Sequence, residues 1–536
     1  MLNMKGFFAL ISVFLLMAFS IFQEGNAQIE QPELGIRVKE VLTIDGKTYK
    51  DLNGNGVLDV YENWGLSASE RAKDLISKMT LEEKAALLLI PEYPQFEEGR
   101  LVLPNAHINQ GTRYFIFRET PTAAVIADYN NHIQEAAEAS RLGIPAIIIS
   151  NPRNHLLPIE VPGQVPPGER GQFSFWPNTL GLAATRDLEL IEDFARISSR
   201  EFLATGIRKI YGYSADVATD PLWSRIVETF GEHPALVSDI IWRIVRGYQG
   251  DVLNNESVTT TVRHYPGGGA REKGKDPHFE EGRYNIYPTE GSLRTYHLPP
   301  FRAAIDAHTT SIMPYYAYPS NESANQGLPW FSPNQQFEEV GFALNKGFIN
   351  DFLRDELGFL GYVNSDTGAV LDKAWGALDL TEEERFAKAL NAGTNIFSGA
   401  TNPEPIINAV KQGLVDEEIV NRSAEYLITE MMMLGLFENP YVDPQIAEDV
   451  VNDPASQQRA DEAHRKSIVL LKNNHLLPLT DDKMQNIKLY VEVFPGGDNG
   501  VNTDNLKEKM IEYDEGITIV DDLAEATHAF LWVSLA

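Results

Sequence analysis

The sequence predicts an α/β protein, a (β/α)8 barrel followed by the start of an α/β sandwich domain. Three observations predict it. Eight short apolar runs fall between residues 86 and 398, amphipathic helical patterns separate most of them, and a new alternation of strand and helix begins near Ser467. A doubly wound open sheet is the alternative for the first part.

Taken in order, the chain opens with a weakly basic start, Met1 to Lys5, then an apolar run from Phe7 to Phe22, then Gly25-Asn26-Ala27 with small residues where a signal peptidase cuts. Residues 1–27 are therefore expected to be a secretory signal peptide, which implies an exported protein, periplasmic or extracellular. An uncleaved membrane anchor is the alternative, but the run is shorter than the ~20 residues that span a bilayer. Residues 28–64 form an N-terminal segment, and 65–437 the predicted barrel. Its strands are expected at 86–90, 114–117, 144–150, 207–213, 258–265, 310–316, 361–365 and 394–397, as apolar runs suited to burial on both faces. Helical patterns at 123–140, 188–204, 235–248, 348–357 and 382–392 lie between them, and 417–436 reads as a further helix. The Pro- and Asp-rich stretch from Asn439 to Pro444 opens an expected linker, 438–466. Residues 467–536 then read as strand, strand, helix, strand and a final apolar run at 530–533, a partial α/β sandwich domain expected to be a truncated copy of a longer unit.

Composition removes several classes of function. With 536 residues and 43% hydrophobic side chains the chain can bury more than one core, and a net charge of −31 repels phosphate backbones and anionic head groups. Neither nucleic acid nor, once the signal is cleaved, a membrane is an expected partner. Cysteine is absent, which excludes disulfides, thiol catalysis and cysteine-ligated zinc. Gly267-Gly268-Gly269 is followed by no Gly-Lys-Ser/Thr, so it reads as a tight loop and not a phosphate cradle, and no Gly-x-Ser-x-Gly elbow is present.

A barrel presents its chemistry where strands end. The predicted strand ends carry Arg118, Asn151 with Arg153, Asp216, Arg263 with His264, Tyr316, Asp366 and Ser398. Singly each has a reading as a loop cap or salt-bridge partner. Together they form a set rich in carboxylate, guanidinium and imidazole, which suits a hydroxylated ligand. Asp366 closes an apolar strand and is followed by Gly368, which leaves room for a ligand, so its carboxylate is a candidate for attack on a sugar anomeric carbon. An N-cap role is its alternative.

From about Lys50 to about Leu479 the sequence resembles glycoside hydrolase family 3. The matching stretches are Met79-Thr80-Leu81-Glu82-Glu83-Lys84, Leu142-Gly143-Ile144-Pro145, Asp220-Pro221-Leu222-Trp223-Ser224-Arg225 with Thr229-Phe230-Gly231-Glu232, and Arg263-His264-Tyr265-Pro266-Gly267-Gly268-Gly269. Further on come the segment ending in Asp366, then Leu434-Gly435-Leu436-Phe437 and Val469-Leu470-Leu471-Lys472-Asn473-Asn474. The resemblance implies that Asp366 is the nucleophile forming a covalent glycosyl-enzyme, that Arg263 and His264 take the places of a Lys-His pair holding sugar hydroxyls, and that Tyr316 lines the site. The position of a sugar-gripping acidic residue falls on Asn151, with Arg153 close by, and Thr367 stands where a Trp is common after the nucleophile.

A Glu from the second domain is the acid/base in many members, and the chain stops before that region. Another branch, similar to bacterial β-N-acetylglucosaminidases, uses an Asp-x-His pair, matched here by Asp276-Pro277-His278. A carboxylate beside an imidazole orients the ring for proton transfer; stabilising the loop or holding sugar is the other role open to His278. The resemblance thus implies an exo-acting retaining β-glycosidase, with β-glucosidase as the leading activity and a β-linked oligosaccharide or glycoside as substrate. The alternatives are a β-xylosidase, a β-N-acetylhexosaminidase, or a catalytically incomplete sugar-binding fragment. No cofactor is expected for catalysis.

One further motif, Asp51 to Glu62, matches an EF-hand loop: Asp51, Asn53, Asn55, Asp59 and Glu62 supply oxygens at positions 1, 3, 5, 9 and 12, Gly56 stands at 6 and Val57 offers its carbonyl at 7. A structural Ca2+ is one expectation for this loop, and an Asx/Gly turn leading into a helix is the other.

Overall fold

The structure, a computed structural model, describes residues 30–93, 95–97, 100–155, 173–331, 337–484, 486–495 and 502–534. The expected signal peptide lies outside them. Among the described residues no helix is long and apolar enough to cross a membrane.

Eight parallel strands close on themselves. They are β1 (Leu89–Ile90), β2 (Tyr114–Ile116), β3 (Ile147–Ser150), β4 (Ile207–Ile210), β5 (Thr259–Tyr265), β6 (Ser311–Pro314), β7 (Tyr362–Val363) and β8 (Phe397–Ser398). Strands β2 to β7 pair in sequence order, β8 pairs with β1 through Phe397 and Leu89, and single bridges, Glu92 to Ile116 and Asn364 to Ile396, join the two groups into a ring. The open-sheet alternative is thereby overturned, since a closed ring has no edge strand. Ile147, Ile148 and Ile149 are fully buried, as expected for strands covered by side chains inside and helices outside.

Helices fill the connections. Leu188–Ala204 and Glu382–Ala392 fall where the periodicity places them. The expected strand at 86–90 is shorter, because Thr80 and Glu83 form a capping box that starts a helix, Leu81–Leu87, running through Ala86. Gly347–Glu356 is wound with i→i+5 bonds. Helix Glu417–Met433 closes the barrel: Glu430 accepts from Lys209 of β4 at 2.9 Å, from Tyr114 of β2 at 3.1 Å and from Tyr362 of β7 at 2.8 Å, so one buried carboxylate ties three strands.

The N-terminal segment forms a hairpin, Glu40–Ile44 with Lys47–Asp51, tied down by the Lys50 ammonium on the Phe437 carbonyl at 3.0 Å. In the loop after it, Asp51 accepts the backbone N–H of Asn55 and Gly56, Glu62 accepts those of Leu52 and Asp59, and Asp59 is met by the amides of Asn53 and Asn55 and by Lys78 at 3.0 Å. These carboxylates are met by the loop's own donors, and Asp59 also by a lysine, while Val57 is exposed. Among the described residues no group of three or more His, Cys, Asp or Glu side chains is placed to hold a metal ion.

The stretch 438–466, expected as a linker, is mostly helix. Pro444–Val451 and Pro454–Ser467 begin with Asp443 and Asp453 as N-caps and Pro at the first helical position, so the Asp-Pro pairs are starts and not breaks. Ala447 and Val451 pack on Ala123 and Ala127, and Ala460 and Ala463 join the main core. The chain divides into two compact units at Ile468/Val469. Ser467 ends a helix, and no strand forms over 467–471, against expectation. The second unit is a three-stranded parallel sheet, with Lys488–Phe494 between Thr518–Val520 and His528–Val533, and a helix Thr503–Tyr513.

Candidate active site

A cavity of about 560 Å³ lies at the carboxyl ends of the barrel strands and contains Asn151, Arg263, His264, His278, Tyr316 and Asp366. A larger cavity of about 860 Å³, walled by Asp220, Glu232 and Tyr296 among others, contains neither Asp366 nor His264.

Asp366 follows β7 by three residues and is 9% exposed. Its Oδ1 accepts from the Thr367 amide at 2.7 Å and from the Tyr316 hydroxyl at 3.0 Å, while Oδ2 stands 3.7 Å from His264 Nε2. One oxygen is thus fixed by two donors, and Oδ2 takes no hydrogen bond from a described residue. Gly368 does not open the room expected of it. Its φ of 81° is a left-handed conformation, and a Cβ there would fall 2.6 Å from Asp372, so glycine lets the loop turn sharply behind the carboxylate.

His264 sits between two acids. Its Nδ1 is 2.8 Å from Asp216 Oδ2, and Asp216 also accepts from Ser214 and from the Gly268 amide. Burial by itself would raise the Asp216 pKa, but the imidazole and these donors outweigh it and hold the group at about 2. An ionised Asp216 accepts only, so the Nδ1–H of His264 donates to it and Nε2 is left as an acceptor, which Arg225 Nη2 meets at 3.4 Å. Burial, reinforced by the Arg225 guanidinium, lowers the His264 pKa and keeps the ring neutral. The glycine run is required here: a Cβ on Gly268 would lie 2.9 Å from Asp216 Oδ1 and 3.0 Å from the Tyr315 ring.

The second imidazole, His278, has its Nδ1 2.6 Å from Asp276 Oδ1. Burial would raise the Asp276 pKa, yet the hydrogen bonds from His278 hold it at about 2. The Trp375 indole donates to the Pro277 carbonyl at 2.9 Å and pins the loop, while the His278 ring lies 4.7 Å from that of Tyr316. Tyr316 therefore touches both His278 and Asp366. Asp276 stands behind His278 and does not itself line the cavity.

Two expected positions behave differently. Asn151 reaches the cavity, but its Oδ1 is buried without a hydrogen-bond partner. Arg153 is not in the cavity wall. It is 5% exposed, donates to Ser150 and to the Glu119 carbonyl, and lies over the Phe117 and Phe173 rings. Its aromatic neighbours draw the guanidinium into the loop packing.

Sequence reasoning missed the partnership of Arg225 and Glu228, both in the cavity wall. Arg225 Nε and Nη2 grip Glu228 at 3.0 and 2.7 Å, Nη1 reaches the Tyr315 hydroxyl at 3.2 Å, and Arg263 stands 3.9 Å from the same carboxylate. Burial would raise the Glu228 pKa, but the Arg225 hydrogen bonds and nearby cations lower it. Arg225 was visible only as the end of a motif, and the i,i+3 spacing to Glu228 was the available signal. Glu92, Arg118 and Lys373 also line the cavity.

The profile of the glycosyl hydrolase family 3 N-terminal domain matches residues 80–429. The chain is 36% identical over 494 residues to a probable β-glucosidase C of Aspergillus flavus, covering 88% of this chain and 72% of that one. It is 36% identical over 496 residues to a periplasmic β-glucosidase/β-xylosidase of Dickeya chrysanthemi, covering 86% and 73%. Among solved structures, a β-glucosidase from Erythrobacter marinus superposes with a TM-score of 0.70 at 23% identity, over 86% of this chain and 59% of that one. A Listeria innocua β-glucosidase bound to isofagomine gives 0.66 at 22% identity, over 84% and 59%. The chain thus spans about three fifths of those solved chains. With a closed parallel barrel, a carboxylate at the end of its seventh strand and a sequence match over most of its length, the chain belongs to glycoside hydrolase family 3.

Proposed function

We propose that the protein is an exo-acting retaining β-glycosidase, foremost a β-glucosidase, that removes terminal β-D-glucosyl residues through a covalent glycosyl-aspartate. The observation that carries this reading is the contact of Tyr316 with both Asp366 and His278. A carboxylate and an imidazole meet the same tyrosine, which supports a nucleophile and a proton-transferring group acting on one bound sugar. Asp366 Oδ2 attacks the anomeric carbon as the bond to the leaving oxygen breaks, and His278, oriented by Asp276, delivers a proton to that oxygen. Water, giving its proton back to His278, then displaces Asp366 and frees the sugar. Arg263, His264 and Arg225 hold hydroxyls of the terminal ring. The apolar leader, and a Dickeya relative named as periplasmic, support an exported enzyme.

The test is release of nitrophenol from the β-glucoside, β-xyloside and β-N-acetylglucosaminide by the purified chain and by Asp366→Ala. Turnover greatest on the glucoside, lost in Asp366→Ala, and a 2-fluoroglucosyl mass adduct on the peptide holding Asp366 are expected. A folded chain that binds glucose and hydrolyses none of the three would replace this reading with that of a sugar-binding protein.

A further inference from the structure

Three consecutive strands bring a second set of groups to the cavity. Glu92 follows β1, Arg118 follows β2 and Asn151 follows β3, and all three line the space that holds Asp366 and His264. The bridge between Glu92 and Ile116 sets the first two side by side, with Glu92 Oε1 2.9 Å from Arg118 Nη2. Their side chains are 46% and 49% exposed, so the pair is open to solvent at the cavity and contributes little to stability. Asn151, whose Oδ1 is buried, carries no charge. On this arc of the wall, Glu92 and Arg118 supply the charges.

The arrangement repeats a device already present elsewhere in the cavity. There Arg225 grips Glu228, again a guanidinium beside a carboxylate. A carboxylate accepts from a hydroxyl and a guanidinium donates to one. Each of two neighbouring pyranose hydroxyls both donates and accepts, so the carboxylate can accept from one while the guanidinium donates to the other. When a sugar ring displaces water from the pair, both contacts become shielded, charge-assisted hydrogen bonds, so the energy withheld in the empty site is released on binding.

We propose that Glu92 and Arg118 form a diol clamp for the terminal sugar and determine which hydroxyl pattern the site accepts, making the charge-assisted contacts that the uncharged Asn151 does not supply. The inference rests on the glycosidase reading for its substrate, but its readout is sugar recognition and not bond cleavage. A site built to pair with hydroxyls rejects analogues that lack them, because its own charged groups are then left without partners.

The experiment compares wild type, Glu92→Gln and Arg118→Gln by steady-state hydrolysis of nitrophenyl β-glucoside and its 3-, 4- and 6-deoxy analogues, and by calorimetric titration with glucose. Glu92→Gln is expected to lower kcat/KM on the glucoside roughly ten- to hundredfold, chiefly through KM, with an unchanged pH profile of kcat and thermal midpoint. With at least one deoxy analogue the penalty should vanish, which a purely structural defect would not produce. Values within twofold of wild type, or the same loss on every analogue, would overturn the clamp. If glucose binding weakens in Glu92→Gln while no glycoside is hydrolysed by wild type, the clamp stands and the catalytic reading falls. If Asp366→Ala abolishes turnover that Glu92→Gln leaves intact, the reverse holds.

Discussion

The Tyr316 hydroxyl lies 3.0 Å from Asp366 Oδ1 and 2.9 Å from the Thr367 carbonyl, so one phenol orients the carboxylate and braces the peptide that follows it. Desolvation, the adjacent Asp366 charge and the hydrogen bond to it push the phenol pKa far up, so Tyr316 remains a donor at any working pH. Tyr316→Phe is expected to lower kcat/KM by about ten- to hundredfold, the loss attached to one hydrogen bond to a charged group. Steady-state kinetics on the β-glucoside would show it, and the protein should stay folded because the ring packing is kept.

Asp216 ties stability to pH. Its folded pKa of about 2 lies below the ordinary 3.8, so its contribution is complete above pH 4 and is lost as pH falls from 4 towards 2. The sum is on the order of 2 kcal/mol. Chemical denaturation from pH 7 to 2.5 should therefore show a steeper acid loss in wild type than in Asp216→Asn. Asp276, also held at about 2 but partly exposed, adds a smaller slope common to both proteins.

Arg225 lowers the His264 pKa, second only to burial. Removing its charge in Arg225→Met should raise the imidazole pKa, since burial remains but Asp216 then acts with less opposition. Nuclear magnetic resonance titration of His264 would detect the upward shift, and kcat/KM should fall by at least tenfold as Glu228 loses its partner.

Lys209 and Glu430 form a pair 2.9 Å apart inside the barrel, 0% and 3% exposed. Lys209→Met leaves a buried carboxylate without its cation, expected to cost about 3–5 kcal/mol. Adding Glu430→Leu should recover part of that loss, because the unpaired charge is removed. Urea denaturation of the two variants against wild type measures both steps.

Much of the barrel was legible because it depends on local rules. The period of the apolar residues gave helices Leu188–Ala204 and Glu382–Ala392, and β3 stood out because an isoleucine run can only be buried. The misjudged stretch 438–466 followed from the same punctuation marks, since Asp-Pro ends one element and caps the next and only packing tells the two apart. In the cavity, Asp366, His264 and Tyr316 could be named from strand ends, and His278 from the resemblance to the family's Asp-x-His branch. Arg153 could not be excluded, because the Phe117 and Phe173 rings that turn it away come from distant parts of the chain.

By itself the sequence determined the chemistry on offer: an alternating α/β chain, acidic overall and without cysteine, with a carboxylate and two imidazoles at or just beyond the ends of predicted strands. Those are properties of periodicity, charge and neighbouring residues. Ring closure, the Lys209–Glu430 pair, the Arg225–Glu228 grip and the meeting of Glu92 with Arg118 were decided only by the tertiary structure. The physical reason is that each depends on register and rotamer across strands tens to hundreds of residues apart or on a turn of unforeseen geometry, where packing, and not local sequence, chooses which side chains meet.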